Sequence, residues 1–357
     1  MSRIALDTQP LQNPQKTGHA YYVESLLAAL KAQNRYEYLE CAPAVAHDLR
    51  TYERFFWDQI QLPHIARKQK ANLLCTTAFS VPNAWASRGM KRVAIIHDIA
   101  LKRFPQNMKG FSGWFLRQFV TKTFQRADHL IAISEATKKD VVELLHIPAE
   151  KITVVHSGVD QFYQPVSVEE QQKVQEHFQL PKKFLLWVGT LEPRKNIPFL
   201  IRSLAPVLKD KNIPLVLVGK RGWLYEEIFQ AIQETGTEHL VRELGYVSNE
   251  EKRALYSAAS LFVYPSIYEG FGMPILEAQA CGCPVLAANT SSLPIVAGNA
   301  GILLPLEGKL WEQKVSELLD DQKALATIAQ AGLLNVQNFT WEKTAAQVAS
   351  VFEKVLA

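Results

Sequence analysis

The sequence has 357 residues, 48% of them apolar and 21% charged, with a formal charge of +4. That length admits two or three domains with real cores, and the modest charge does not supply the concentrated basic stripe of a nucleic-acid binder. No apolar run reaches the roughly 18 residues of a membrane span, and four cysteines without a C-x-x-C pair exclude a disulfide scaffold and fit a reducing compartment.

The opening MSRIALDTQP lacks the apolar run of a signal peptide. A cytoplasmic location is expected, with peripheral contact at the inner face of the membrane left open. Apolar runs follow at IALD (4–7), YEYLEC (36–41), NLLC (72–75), VAIIHD (93–98), LIAIS (130–134) and ITVVHSG (152–158). A second series comprises FLLWVGT (184–190), PLVLVGK (214–220), VRELGYV (241–247), LFVYPS (261–266), PVLAANT (284–290) and GILLPL (301–306). Most are continuous rather than alternating, as strands covered on both faces are. Helical patterns lie between them at 21–33, 195–210, 250–259 and 311–321; the first puts Val23, Leu26, Leu27 and Leu30 on one face. Strand and helix alternation predicts parallel sheets with helices on both sides.

The polar stretch 160–183 holds two prolines and reads as a break. The expected domains are 1–165 and 184–339, joined by a linker at 166–183. TWEKTAAQVASVFEKVLA (340–357) reads as a helix capped by Thr340, with Glu342 in its first turn. Two such α/β domains facing each other would form a cleft at the strand carboxyl ends, where ligands bind in open sheets.

The residues able to carry chemistry lie at predicted strand ends. VAIIHD closes on His97 and Asp98, which reads as an active-site pair or as a satisfied structural histidine. Between 102 and 126 stand Lys102, Arg103, Lys109, Arg117, Lys122 and Arg126 with no acid, among Phe111, Trp114, Phe115, Phe119 and Phe124. This segment suits an anionic membrane surface or a lipid-linked acceptor, or a helix that packs its aromatics on a sheet. In VGTLEPRKNIPFL (188–200), Arg194 and Lys195 fall at a helix start, where cations are disfavoured unless an anion such as a diphosphate sits there. The other reading is two solvent-facing cations near Glu192.

After LFVYPS, Glu269 falls in a loop and Glu277 about one turn inside a helix that starts near Pro274. Gly270 and Gly272 free backbone N–H groups to face an oxygen-rich ligand, and a carboxylate at 277 can accept both hydroxyls of a ribose. The alternatives are a turn acid and a solvent-facing helix residue. Gly189, Gly219 and Gly245, near strand ends, read as points of close backbone approach to a ligand or of turning. No G-x-G-x-x-G, Walker A, G-x-S-x-G or H-E-x-x-H pattern occurs. Cys281 and Cys283 read as packing at a helix end.

Together these stretches resemble a known family. E-G-F-G-M-P-I-L-E-A-Q-A-C-G-C-P-V (269–285) is similar to the E-x7-E region of retaining glycosyltransferases of family 4, which have the GT-B fold. VGTLEPRKN, IIHD, LIAISEATKKDV (130–141) and VVHSGVD (154–160) resemble further landmarks in the same order. The resemblance implies two Rossmann-like domains facing across a cleft, with the final helix crossing back to the first. It implies that Glu269 contacts the transferred sugar and Glu277 the ribose. Arg194 and Lys195 would bind the diphosphate, approached also by Gly18, while Phe271, Gly272 and Met273 belong to the donor-binding set. His97 would face the donor sugar with Asp98 beside it, Tyr246 and Val247 would line the base pocket, and Ser134 and Glu135 resemble a cleft-facing loop.

The sequence departs from the family pattern at two places. Gly189-Thr190 stands where many members have Gly-Arg, so Arg194 would supply the charge, and Thr17-Gly18-His19-Ala20-Tyr21 replaces a T-G-I-G-R-like loop. The implied activity is metal-independent, retaining transfer of a hexose, mannose favoured, to a glycan or lipid-linked acceptor. GDP-mannose is the favoured donor and a UDP-sugar the alternative. The competing readings are a glycan phosphorylase or another GT-B enzyme such as an epimerase, and a non-catalytic glycan-binding protein.

Overall fold

The computed structural model describes residues 1–12, 18–45, 47, 49–77, 80–104 and 110–357. The chain divides into two units, 1–158 with 340–357, and 159–339. All twelve apolar runs form strands. In the first unit these are β1 (Arg3–Asp7), β2 (Glu37–Cys41), β3 (Leu73–Thr76), β4 (Lys91–Ile96), β5 (His129–Ala132) and β6 (Ile152–Val154). They make one parallel sheet in the order β2-β1-β3-β4-β5-β6. The second unit holds β7 (Leu185–Val188), β8 (Leu215–Val218), β9 (Val241–Gly245), β10 (Leu261–Tyr264), β11 (Val285–Ala288) and β12 (Ile302–Leu304), parallel in the order β12-β11-β10-β7-β8-β9.

Central strands β3, β5, β7, β8, β10 and β11 are buried along their whole length, as their continuous apolar runs require. The edge strands β2 and β12 are only partly buried, which explains the charges in YEYLEC. In each sheet the chain order reverses at one place, between β1 and β3 and between β10 and β7. Such reversals leave a crevice at the strand carboxyl ends, because the connections run off in opposite directions.

The stretch 166–183 carries the helix Val168–His177, closed by a reciprocal cap between Ser167 and Glu170. That helix packs on Asn249–Ala258 within the second unit. The helix Trp341–Leu356 belongs to the first unit and packs on Gly18–Ala32. It buries Ala345, Val348, Ala349 and Phe352, an i, i+3, i+4, i+7 stripe, and Thr340 Oγ1 caps it by accepting from Lys343 N at 3.3 Å. The polypeptide leaves and re-enters the first unit at neighbouring points: Val159 N donates to Phe339 O at 2.9 Å. A Cβ at Gly158 would lie 2.4 Å from Trp341 N, so only glycine admits the start of this helix. Gly158→Ala is therefore expected to cost about 1–3 kcal/mol. Hydrogen exchange should localise the loosening to 341–356; unchanged protection there would refute it.

Candidate active site

In the second unit the site is built where β7 and β10 lie side by side at the reversal. The loops that follow them are tied by Ile267 N donating to Arg194 O at 2.9 Å. Residues Pro193–Lys195 form a tight turn ended by Asn196 at φ +57°, and the helix Ile197–Lys211 begins after it. This turn sends Lys195 inward, where it is 6% exposed, against Glu269, also 6% exposed. Lys195 Nζ donates to Glu269 Oε1 at 2.6 Å and to the Tyr264 hydroxyl at 2.9 Å, and that hydroxyl donates to the same carboxylate oxygen at 2.8 Å. Arg194 Nη1 reaches Glu269 Oε2 at 2.7 Å and Tyr268 O at 3.2 Å, while its Nε pairs with Glu192. Two cations and two carboxylates thus share one nearly dry cluster.

Burial alone would raise the Glu269 carboxyl; Lys195 and then Arg194 outweigh it and hold it at about 2. Burial draws the Lys195 ammonium down, against the pull of Glu269. Arg194 does pair with Glu192, yet Lys195 faces the interior rather than solvent.

The Glu269 loop is also clasped from β11. Thr290 Oγ1 donates to Ser266 O at 2.6 Å, and Ser292 Oγ donates to Glu269 O at 3.0 Å and Phe271 O at 2.6 Å. Glu269 N in turn donates to Ser291 Oγ at 2.9 Å, with Ser291 held at φ +45°, rare for a residue with a side chain. Sequence reasoning missed Tyr264 and these three hydroxyls. The available signal was a T-S-S run at the end of a strand predicted to be buried.

Gly272 precedes the helix Met273–Ala280 at φ +111°, and a Cβ there would lie 2.8 Å from Leu293 Cδ2. Phe271 is buried against the Phe339 ring. Glu277 is held rather than solvated: its Oε2 accepts from the Tyr256 hydroxyl at 3.0 Å and lies 3.4 Å from Lys252 Nζ. Its Oε1 takes no hydrogen bond from the described residues. Gly245 turns the end of β9 at φ +71°, leaving Tyr246 exposed and Val247 buried. At Gly219 a Cβ would stand 1.8 Å from Gly189 O, so this glycine serves the approach of two chain segments. Cys281 and Cys283 are buried with their thiols pushed up by burial, opposite to an activated nucleophile.

In the first unit His97 and Asp98 follow β4. His97 is partly buried, its ring 4.7 Å from His19 and 4.5 Å from Tyr22, and its buried Nε2 has no hydrogen-bond partner among the described residues. Burial pushes its imidazole down to about 4. Thr137, on the helix Glu135–Leu145 capped by Ser134, donates to His97 O at 3.2 Å. Asp98 Oδ1 accepts from Ala100 N at 2.9 Å and so also shapes its own turn. Gly18 opens the helix Gly18–Ala32 with open space where a Cβ would be; Thr17 lies outside the described residues.

A second buried ionic group, unforeseen from the sequence, closes β1. Arg54 pairs with Asp7 and, at 3.1 Å, with Asp58; Trp57 Nε1 donates to Asp7 at 3.1 Å and Ser80 Oγ to Asp58 at 2.8 Å. Its signal was Arg54 and Asp58 four residues apart around Trp57.

Of the basic aromatic segment, Phe124 packs inward, whereas Trp114, Phe119, Lys122 and Arg126 are exposed. Lys109 and the side chains of Phe111 and Arg117 lie outside the described residues. Among the described residues no His, Cys, Asp and Glu cluster is placed to hold a metal ion, and no helix is long and apolar enough to cross a membrane.

A family model described as "Glycosyl transferases group 1" matches residues 168–354, and one described as "Glycosyltransferase Family 4" matches 16–161. The O-antigen chain mannosyltransferase B of Escherichia coli is 32% identical over 277 residues, 76% of this chain and 73% of that one. The serotype-specific mannosyltransferase WbdA of the same species is 31% identical over 201 residues; these make up 54% of this chain and 24% of that longer protein. The crystal structure of HepE from Anabaena, in complex with UDP and glucose, aligns with a TM-score of 0.74 at 20% identity, covering 99% of this chain and 100% of that one. With its two six-stranded parallel sheets and a whole-chain alignment of this kind, the fold is GT-B. The chain belongs to the glycosyl transferases group 1 and is a glycosyltransferase of family 4.

Proposed function

We propose that the protein is a retaining hexosyltransferase that moves mannose from GDP-mannose to a hydroxyl of a glycan or lipid-linked saccharide, without a metal ion. The observation that carries this reading is the buried Glu269–Lys195–Arg194 cluster at the β10/β7 reversal. The mannosyltransferase relatives favour the sugar. A UDP-sugar is the second reading, favoured by the UDP bound to the fold neighbour HepE.

A nucleoside diphosphate is a weakly basic leaving group, so its departure needs positive charge and N–H donors more than a general acid. Arg194 and Lys195 supply the charge in this reading; Phe271, Gly272 and Met273 supply the backbone at the helix start, and Gly18 a further approach to phosphate. Glu269 holds both cations in place before the donor arrives and opposes the positive charge that develops on the sugar. Glu277, fixed through Oε2, offers Oε1 to the ribose. That assignment takes Glu277 away from the reacting carbon, so the two glutamates are not a pair flanking one bond, which supports attack from the leaving-group face over a glycosyl-enzyme intermediate. Tyr246 and Val247 are assigned to the base, and His97, with Nε2 unpartnered and Asp98 beside it, to the sugar. The working location is the cytoplasm, at the inner face of a membrane.

Glu277→Ala should weaken donor binding about tenfold to a hundredfold in titration calorimetry while the far-ultraviolet spectrum is kept; an unchanged Kd would sink the ribose assignment. Lys195→Ala and Arg194→Ala should each lower kcat/KM about a hundredfold or more, and Tyr264→Phe about tenfold, by freeing the Lys195 and Glu269 side chains. Parental activity in either cation variant would end the diphosphate role. Ser291→Ala combined with Ser292→Ala should lower kcat more than it raises the donor Kd, because the clasp sets the Glu269 loop rather than touching the nucleotide. An effect confined to Kd would refute that placement.

A further inference from the structure

We propose that the second unit carries a saccharide site apart from the donor-binding residues, in a cavity of about 600 Å³ beside the turn Pro193–Lys195. The site goes beyond the transfer reaction and does not rest on it. The starts of three helices line the cavity: Ile197–Lys211, Glu226–Thr235 and Gly308–Asp320. Its volume is that of a small-ligand pocket, roughly 300–1,000 Å³. Glu192 of the ionic cluster lines it, but Arg194, Lys195, Glu269 and Glu277 do not. Ser203, in its wall, is 9% exposed, and its hydroxyl takes part in no hydrogen bond among the described residues. A buried hydroxyl normally finds a partner, often the carbonyl four residues back in its own helix. A Cβ on Gly308 would stand 2.9 Å from Ser203 Oγ, so glycine keeps the space in front of that hydroxyl open.

None of the three helix starts is capped by a side chain among the described residues, which leaves their first N–H groups to water or a ligand. Asn196 is of a type that usually caps, but at φ +57° its carboxamide takes no hydrogen bond among the described residues and lines the cavity instead. Leu224, also in the wall, is held at φ +51°, rare for a residue with a side chain. The charges decide the class of ligand. Arg202 pairs with Glu234 at 2.8 Å, Lys309 with Glu312 at 3.1 Å and Glu192 with Arg194, while Glu227 adds a further carboxylate. A phosphate would meet these acids with no cation to spare. A sugar hydroxyl both donates and accepts, so it can serve the carboxylates and the amide oxygen as well as the N–H groups and Ser203. The C–H faces of a hexose ring would pack on Phe199 and Leu224.

The test is photolabelling of the full chain with diazirine-bearing methyl α-mannoside and, in parallel, methyl α-glucoside, the label being mapped by mass spectrometry. Label from at least one probe is expected within 192–203, 224–228 or 308–312, competed by the parent glycoside and not by GDP or UDP. Ser203→Ala should lower that labelling about fivefold to tenfold. Its melting temperature should not fall, because the hydroxyl has no partner to lose. Gly308→Ala, which fills the space at Ser203, should abolish the label, and Asn196→Gly, which keeps the left-handed backbone, should weaken it. Label confined to other residues, competition by GDP or UDP, or parental labelling of both Ser203→Ala and Gly308→Ala overturns the proposal. A lower melting temperature of Ser203→Ala with labelling unchanged would make the hydroxyl a packing group and also overturn it. So would stronger competition by mannose 6-phosphate than by methyl α-mannoside, which would assign the cavity to an anion. Label in this cavity of a protein that transfers no sugar would count against the proposed reaction and leave the saccharide site standing.

Discussion

The carboxylate of Glu269 is the constraint on which the rest of the candidate site depends. It accepts from Lys195, Arg194 and Tyr264 at once and is almost wholly withdrawn from water. Desolvating such charges costs several kcal/mol per ion, and only close geometry and full hydrogen bonding offset it. The cluster meets both conditions, with Glu192 completing the balance of charge. The turn after β7 and the loop after β10 therefore cannot move separately: a shift in either would leave a buried ion without its partner. The central strands, the Ser292 clasp and the tie from Ile267 to Arg194 all hold one arrangement of charge. An anionic ligand would meet cations already aimed, and would share them with Glu269 rather than replace it.

The first unit uses the same device at its own reversal. Asp7 ends β1, and Arg54 binds it together with Asp58, while the indole N–H of Trp57 donates to Asp7. Burial pushes the Asp58 carboxyl up, against the pull of Arg54. The neighbouring histidines are left uncharged: burial first, then His97 and Arg54, hold His19 well below its ordinary range. Neutral imidazoles suit hydroxyl groups better than phosphates. The first unit thus sets neutral rings at the end of β4, whereas the second unit gathers paired cations at the end of β7.

The strands were legible in the sequence because a strand buried on both faces has to be apolar along its length, and little else in the chain is. Glu269 was legible beside Gly270 in the loop after a strand, Glu277 one turn inside the helix that follows, and Arg194 and Lys195 as cations at a helix start, where charge of that sign is disfavoured without an anion. Their partners were not. Tyr264 reads as one more apolar strand residue, and its hydroxyl gains a role only because β10 lies beside β7. Thr290, Ser291 and Ser292 read as a polar turn until β11 is placed next to β10. The helical run 51–68 escaped notice because it buries Arg54, Asp58 and Gln59 on a face where periodicity looks for apolar residues. Its wide turn at Trp57–Gln61 also breaks the 3.6-residue repeat.

The helix Trp341–Leu356 gives the fold an order of assembly. Its apolar stripe covers Gly18–Ala32, made more than three hundred residues earlier, while every residue of the second unit lies between the two. On a ribosome the second unit can complete its sheet as soon as it emerges. The first unit waits with one helix face bare until residues 341–356 are made. Domains usually form in the order of their synthesis; this connectivity reverses that order for the two units, and the first is finished after the second.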